Sequence, residues 1–400
     1  MPERARRQNH VARRIFGLAR EEVARNSFNA TIQSCPIVVS KSVEVTLSCF
    51  VGVDVGGTTS TIAIGNSQRE VLDVSEQFTT RTAEGPEVTI ASIAEEILAG
   101  LERIGATIDQ LADVSLATPG PATLDGILLN TPNFTPQLWN KVPFRARLEA
   151  ELRRQAPTVH VHYIGDGQAA ALGEYSIRTG TVTWNRVASN GSRPCNLSSL
   201  LMVIVGTGLG GGEVRNGQVT RGKEGRAGHA GHILLPPYAF RYEHDRQLVV
   251  GNAKCTVESA VSLTALTHQL DYRLTLDQWS DHPLNSAPGS TRDKAKQLRG
   301  LASQGDPLAL ELFSDQARAL GIGLLSANYL GDYDILVIGG GVCDLSPEVR
   351  EQYRTTAEAA YREFALDGFR NLDRFEFSVC GDEAPVIGSL ANAYLNATPR

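Results

Sequence analysis

The chain predicts a mixed α/β protein that holds its ligand at glycine-rich turns. Two observations carry that reading. Short apolar runs rich in β-branched residues end in glycine clusters at Gly56-Gly57, Gly206 to Gly212 and Gly339 to Gly341. Between them, apolar residues recur three or four positions apart over 88–104 and along 308–330, the period of a helix with one buried face. Such folds collect their ligands at the carboxyl ends of the strands.

Taken in order, Phe50-Val-Gly-Val-Asp-Val55 is a strand feeding the first glycine turn, and Thr61-Ile-Ala-Ile64 returns as its hairpin partner. The helix over 88–104 presents Ile90, Ile93, Ile97, Leu101 and Ile104 on one side and stops at Gly105. Val114 to Ala117 is a buried strand running into Thr118-Pro-Gly-Pro121. Val159 to Ile164 is another, followed by Asp166 and the helix-prone Gln168 to Leu172. The Thr-, Asn-, Ser- and Gly-rich stretch 176–198 reads as a surface loop. Leu200 to Val205 is a central strand emptying into a long glycine loop, and Asn216-Gly217 turns the hairpin after it. Ile335 to Ile338 is a last buried strand, closed by three glycines. Each half holds a strand, a glycine turn and a hairpin, which suggests an old duplication.

Four hundred residues suit two domains, and 42% hydrophobic residues with 38 glycines describe a globular chain. The longest aliphatic run, Leu200 to Val205, is far below the ~20 residues of a membrane span, so no membrane association is expected. Six scattered cysteines argue against a disulfide scaffold and for a reducing, cytoplasmic setting. The net charge of −6 divides into +4 over residues 1–47 and −10 over the rest. A body that acidic repels a nucleic-acid backbone, so no nucleic-acid partner is expected. The basic segment 1–47 reads as a disordered leader.

Gly206, Gly208 and Gly211 satisfy G-x-G-x-x-G, but a hairpin follows where a dinucleotide site needs a helix, and no P-loop motif exists. Three glycine turns at strand ends instead read as anion cradles for a nucleotide. Asp54, with Gly56, Gly57, Thr58 and Thr59 behind it, is placed to hold Mg²⁺ beside phosphate; its bland reading is a satisfied carboxylate at a sheet edge. Asp166 reads as a helix N-cap, and a carboxylate held there is also placed to act as a general base, the two roles not excluding each other. Trp139 suits a sugar face or the core equally.

In order along the chain, Asp54-Val-Gly-Gly-Thr58, Pro119-Gly-Pro121, Pro132-Asn133, Asp166-Gly-Gln-Ala-Ala-Ala-Leu-Gly-Glu174, Gly206-Thr-Gly-Leu-Gly-Gly211, Gly231-His232 and Ile338-Gly-Gly-Gly-Val342 resemble the ROK family of glucokinases, other sugar kinases and repressors. The resemblance covers about 50–395. It implies the two-lobed actin-like ATPase fold, with ribonuclease H-like cores and a nucleotide and sugar cleft between the lobes. The lobes would be 48–165, on which a C-terminal helix over about 384–400 packs, and 166–383. It further implies ATP and Mg²⁺ as cofactors, a small-molecule sugar substrate and a homodimer. By position, Asp54, Gly56, Gly57, Thr58 and Thr59 match the first phosphate loop, and Gly206, Thr207, Gly208 and Gly210 the second. Gly339, Gly340 and Gly341 match the segment flanking the adenosine. Asp166 matches the general base, and Gly120, Asn133, His229, His232 and Glu258 stand at sugar-side positions.

The chain departs from that pattern on the sugar side. Gly165 precedes Asp166 where the family carries Asn, His229 stands where it carries Glu, and of the zinc-binding cysteines only Cys255 survives. No structural zinc is therefore expected, with Leu248 and Val250 buried where the cysteines would bind. A substitute set of His229, His232, His244 and Cys255 is the alternative. The leading expectation is phosphorylation of glucose to glucose 6-phosphate. An N-acetylhexosamine such as N-acetylmannosamine is the alternative acceptor, polyphosphate the alternative donor, and a sugar-sensing repressor or an inactive sugar-binding relative the alternatives of other classes.

Overall fold

The computed structural model describes residues 48–129, 131–188, 194–370 and 374–397. The expected leader, 1–47, lies outside the described residues. From Thr46 onward the chain forms one compact unit.

Its first sheet comprises β1 (Cys49–Val55), β2 (Thr59–Asn66), β3 (Val71–Val74), β4 (Phe78–Thr79), β5 (Leu111–Thr118) and β6 (His160–Gly165). The order is β3-β2-β1-β5-β6, with β4 beside β2. Helix α1 (Pro86–Arg103) begins with its proline, whose missing N–H costs a first turn nothing. The predicted stripe Ile90, Ile93, Ile97 and Leu101 is buried. With α2 (Pro136–Trp139) and α3 (Phe144–Leu152), α1 covers one face of this sheet. Trp139 belongs to that core rather than to a ligand face: it is 1% exposed, packs on Phe134 and Phe144, and donates Nε1–H to the Thr82 carbonyl at 2.8 Å.

The second sheet, ordered β13-β12-β7-β8-β9, comprises β7 (Ser199–Val205), β8 (Leu209–Arg215), β9 (Gln218–Val219), β12 (Ile335–Gly340) and β13 (Phe375–Phe377). A separate small ribbon pairs β10 (Val249–Val250) with β11 (Ala253–Lys254). Helices α6 (Val257–Val261), α7 (Leu263–Arg273), α8 (Thr291–Ser303), α9 (Pro307–Gly331) and α10 (Pro347–Phe364) build the core on the outer face of the second sheet.

Between the two sheets lie α4 (Asp166–Thr179) and α11 (Ala384–Asn396), the latter from the far end of the chain. The period of two along a strand sorts the residues of β1 onto two faces. Val51, Val53 and Val55 join the α1–α3 core. Gly52 lies on the opposite face, against the α11 backbone at Leu390, and Asp54 shares that face. Ser389 binds α11 to the sheet twice, accepting from the Val53 N–H at 3.3 Å and donating to the Ser115 carbonyl at 2.7 Å.

Three sequence expectations change. The stretch 176–198 is not simply a surface loop. Helix α4 continues to Thr179, a short helix α5 (Asn185–Ala188) follows, and Val182, Trp184, Val187 and Leu197 are buried. Gly210 to Gly212 belong to β8, so the second glycine turn is only Gly206-Thr207-Gly208. Gly339 and Gly340 likewise end β12 rather than forming a loop. Glycine is a poor strand former, so local propensity placed these residues in turns. Pairing with β7 keeps them in the ladder.

Helices α4 and α11 cross with their backbones in contact. A Cβ on Gly388 would lie 1.6 Å from the Ala169 carbonyl oxygen, and one on Gly173 would lie 2.2 Å from that of Ala384. Gly388→Ala should therefore cost about 3 kcal/mol or more, the upper range for overpacking a rigid contact. Urea unfolding measures it, and a midpoint equal to wild type would show that the helices can slide apart freely.

Candidate functional site

The predicted site residues cluster at the carboxyl ends of β1, β5, β6, β7 and β12, and α4 joins the two sheets that carry them. Asp166 is the first residue of α4, directly after β6. It is not the cap: Gly165 occupies that position, and Asp166 Oδ1 instead accepts its neighbour's N–H, from Gly167, at 2.6 Å. Its carboxyl is raised above the usual carboxylate range by burial, partly offset by that N–H and by His229. Asp54 projects from β1 onto the same side as α4. Burial first, and the Asp166 charge second, push its pKa up to about 7. Asp54 thus feels the Asp166 charge, and among the described residues neither carboxyl has a basic side chain within ion-pair distance, His229 acting on Asp166 from farther away.

The first turn of α4 touches β8 with no side chain between them. A Cβ on Gly167 would lie 2.6 Å from the Gly211 carbonyl oxygen, and one on Gly212 would lie 2.5 Å from that of Gly167. Gln168 adds a tie from α4, donating to the carbonyls of Gly225 and Ala227 at 3.2 Å each. This fixes the segment that carries His229. His229 is exposed, bonds the Arg226 carbonyl through Nδ1 at 2.8 Å, and stacks on His232 with ring centres 6.2 Å apart.

The first glycine turn is the β1–β2 turn. Gly56 N–H donates to the Thr59 carbonyl, and Gly57 lies against Asn133. Thr58 and Thr59 are exposed beside them. In the second loop Gly206 N–H donates to the Gly208 carbonyl at 2.9 Å. Glu258, on α6, accepts the Leu209 N–H at 2.9 Å, and its carboxylate lies against Gly208. One Glu258 oxygen is thus committed to the backbone at the start of β8. Gly340 presses on Val205 at the end of β7, so the third glycine segment adjoins the second. Gly120 is exposed at the end of β5, and no atom within 4 Å would touch a Cβ there. The contacts tie neither Gly120 nor His232 to the carboxyl pair.

Glu174 has a supporting role that its place in the motif did not disclose. It is fully buried, pairs with Arg178 at 2.7 Å, and accepts from the backbone of Val379 and Cys380 and from the Ser378 hydroxyl. It therefore anchors the approach to α11.

The degraded cysteine region holds an ionic cluster. Arg273 is 0% exposed and binds Asp245 with two hydrogen bonds of 2.9 and 2.8 Å. Asp315 and Glu311 flank it, and its guanidinium lies 4.0 Å from the Tyr242 ring centre. Leu248 and Val250 are half-buried rather than fully buried, because β10 sits on the surface beside this cluster. The substitute set is not assembled: His244 stacks on His268 and Tyr272, apart from the His229–His232 pair. Among the described residues no three His, Cys, Asp or Glu side chains form a metal-holding group, and no helix is long and apolar enough to cross a membrane.

Comparison with known proteins gives a consistent set of relatives. The family model described as "ROK family" matches residues 50–394. A glucokinase of Halalkalibacterium halodurans is 28% identical over 85% of this chain and 93% of its own length. An N-acetylmannosamine kinase of Escherichia coli O1:K1 is 25% identical over 72% of this chain and 82% of its own. The solved structure of a ROK hexokinase from Thermus thermophilus superposes with a TM-score of 0.65 at 28% identity, covering 87% of this chain and 98% of that one.

The carboxyl pair makes a signed prediction. A carboxyl whose folded pKa lies above its unfolded 3.8 contributes its stability in full below about pH 4, and that contribution is lost as pH rises through about 7. In chelator-containing buffer, Asp54→Asn should therefore raise the melting temperature at pH 8 by more than at pH 5. An equal effect at both pH values would refute the coupling.

Proposed function

The chain belongs to the ROK family, and on that premise we propose that it is an ATP-dependent sugar kinase, acting on a hexose and most readily converting glucose to glucose 6-phosphate. The observation that carries the reading is Asp166, a desolvated carboxyl at the β6–α4 junction, where the first turn of α4 lies on the glycine-rich start of β8. Phosphoryl transfer asks a protein chiefly for positioning and for stabilisation of charge, and these parts suit both.

In this reading the sugar hydroxyl oxygen attacks the γ-phosphorus of ATP. Its proton passes to the Asp166 carboxylate, the β–γ bridging P–O bond breaks, and ADP leaves. Burial that raises the pKa of Asp166 makes it a stronger proton acceptor at neutral pH. The turns at Gly56 to Thr59 and Gly206 to Gly208, with Gly210 at the start of β8, hold the phosphates, and Gly339 to Gly341 flank the adenosine. Asn133, Gly120, His229, His232 and Glu258 face the sugar. Asp54 suits Mg²⁺, since its desolvated carboxyl feels the Asp166 charge and gains from a divalent cation. Bound there, Mg²⁺ would neutralise phosphate charge. His229 can donate as well as accept where a Glu only accepts, which supports a neutral hydroxyl or amide as its ligand.

An ADP-release assay across hexoses and N-acetylhexosamines tests the reading. Turnover with glucose or a close hexose is expected; preference for an N-acetylhexosamine would move the acceptor, and no turnover with any sugar would overturn the kinase reading. Asp166→Asn keeps the oxygen that accepts Gly167 N–H but cannot take up the proton. Turnover should fall about 10²- to 10⁴-fold, with a melting temperature at pH 8 no lower than wild type. Near-normal kcat in this variant would remove Asp166 from the mechanism.

A further inference from the structure

Helix α8 carries Arg292, Lys296 and Arg299 at i, i+4 and i+7, which places all three on one helix face. The two ends of this stripe meet two of the glycine turns. Arg292 Nη2 lies 3.5 Å from Thr207 Oγ1, and Arg299 Nη1 donates to the Gly341 carbonyl at 3.1 Å. Seven residues of α-helix rise about 10 Å. The stripe therefore runs from the turn at Thr207 to the turn at Gly341, alongside the cradle that both form.

The three cations are not equivalent. Arg299 is paired with Asp344, and Lys296 lies 3.8 Å from Asp293. Arg292 is half-buried, and among the described residues no carboxylate stands within ion-pair distance of it. Asp293, its neighbour in sequence, is turned to the Ser290 cap and to Lys296. A guanidinium presents five donors in a planar fork that matches phosphate or carboxylate. Here one hydroxyl at the edge of the proposed phosphate loop is its neighbour, and the one carboxylate that acts on it, Asp293, stands beyond ion-pair distance and is engaged by Ser290 and Lys296.

We propose that Arg292 is a ligand of the donor's phosphate chain, closing the second phosphate loop from the α8 side. The inference rests on the kinase reading above. It adds a residue from outside the glycine motifs, supplied by an element that carries none of them. The occupant expected is a polyphosphate ester with at least two phosphates, because the guanidinium stands at the Thr207 end of the stripe and not at the Gly341 end.

The test uses the full chain as wild type, Arg292→Met and Arg292→Lys. Met retains the aliphatic stem without charge, and Lys retains the charge without the fork. With sugar saturating, Arg292→Met should raise KM for ATP about 10- to 100-fold, the usual worth of a charge-assisted hydrogen bond. KM for the sugar and the melting temperature should stay at wild-type values, and Arg292→Lys should recover part of the loss. Calorimetric titration with ATP should weaken in Arg292→Met, while titration with adenosine should not. Unchanged ATP affinity, or a loss shared equally by ATP, adenosine and sugar together with a lower melting temperature, would overturn the proposal. The second of these results would make Arg292 a brace for the loop. Wild type that turns over no sugar would sink the kinase reading instead, and the two ATP titrations would still judge Arg292.

Discussion

The contact on which the rest of the structure depends is the crossing of α4 and α11 between the two sheets. Gly173 and Gly388 let the helix backbones touch, and Gly167 lets the start of α4 lie directly on β8. Larger residues at these positions would force the helices apart, and close-packed interiors adjust to such changes only in part. The consequence is geometric. Asp54 lies at the end of β1, Asp166 begins α4, and β8, which starts directly after Gly206 to Gly208, lies against that helix start.

That geometry sets an electrostatic conflict at the site. Elsewhere the fold meets the cost of buried charge with partners. Glu174 has Arg178 and backbone N–H groups, and Arg273 has Asp245, Asp315 and Glu311. Asp166 has only the Gly167 N–H and a more distant His229, Asp54 has the Asp166 charge acting on it, and burial drives both toward the protonated state. Carboxyls placed apart from basic partners and shifted toward neutral pH are a recurrent mark of acid–base sites. The same argument gives Arg292 its weight, as a cation with no carboxylate within ion-pair distance among the described residues.

The region between β9 and α6 meets a structural need by other means. The family pattern supplies cysteines there, and this chain has lost all but Cys255. Arg273 and the acidic groups around it, with Tyr242 on the guanidinium face, link the segment before β10 to α7 and α9. A buried guanidinium bound to several carboxylates is demanding in geometry, and losing Arg273 would leave the buried Asp245 as an uncompensated charge.

Much of the fold and part of the site were legible in the sequence. Apolar periodicity located β1, β2, α1, β5, β6, β7, α9 and β12, because burial on one face imposes a period that local reading detects. The ordered motifs named the glycine turns and both aspartates, the glycines because only a residue without Cβ lets backbones approach so closely. Local reading failed where long-range pairing outweighs propensity. Gly210 to Gly212 are strand because β7 pairs with them, and 176–198 is partly core because Val182, Trp184, Val187 and Leu197 find apolar neighbours far along the chain. Tertiary structure alone decided that Asp54 feels the Asp166 charge, that Trp139 is core, and that Arg292 reaches Thr207 across 85 residues of sequence. Spacing along a chain records which face a residue occupies, whereas charge coupling depends on distance through space, and only the packed helices set that distance.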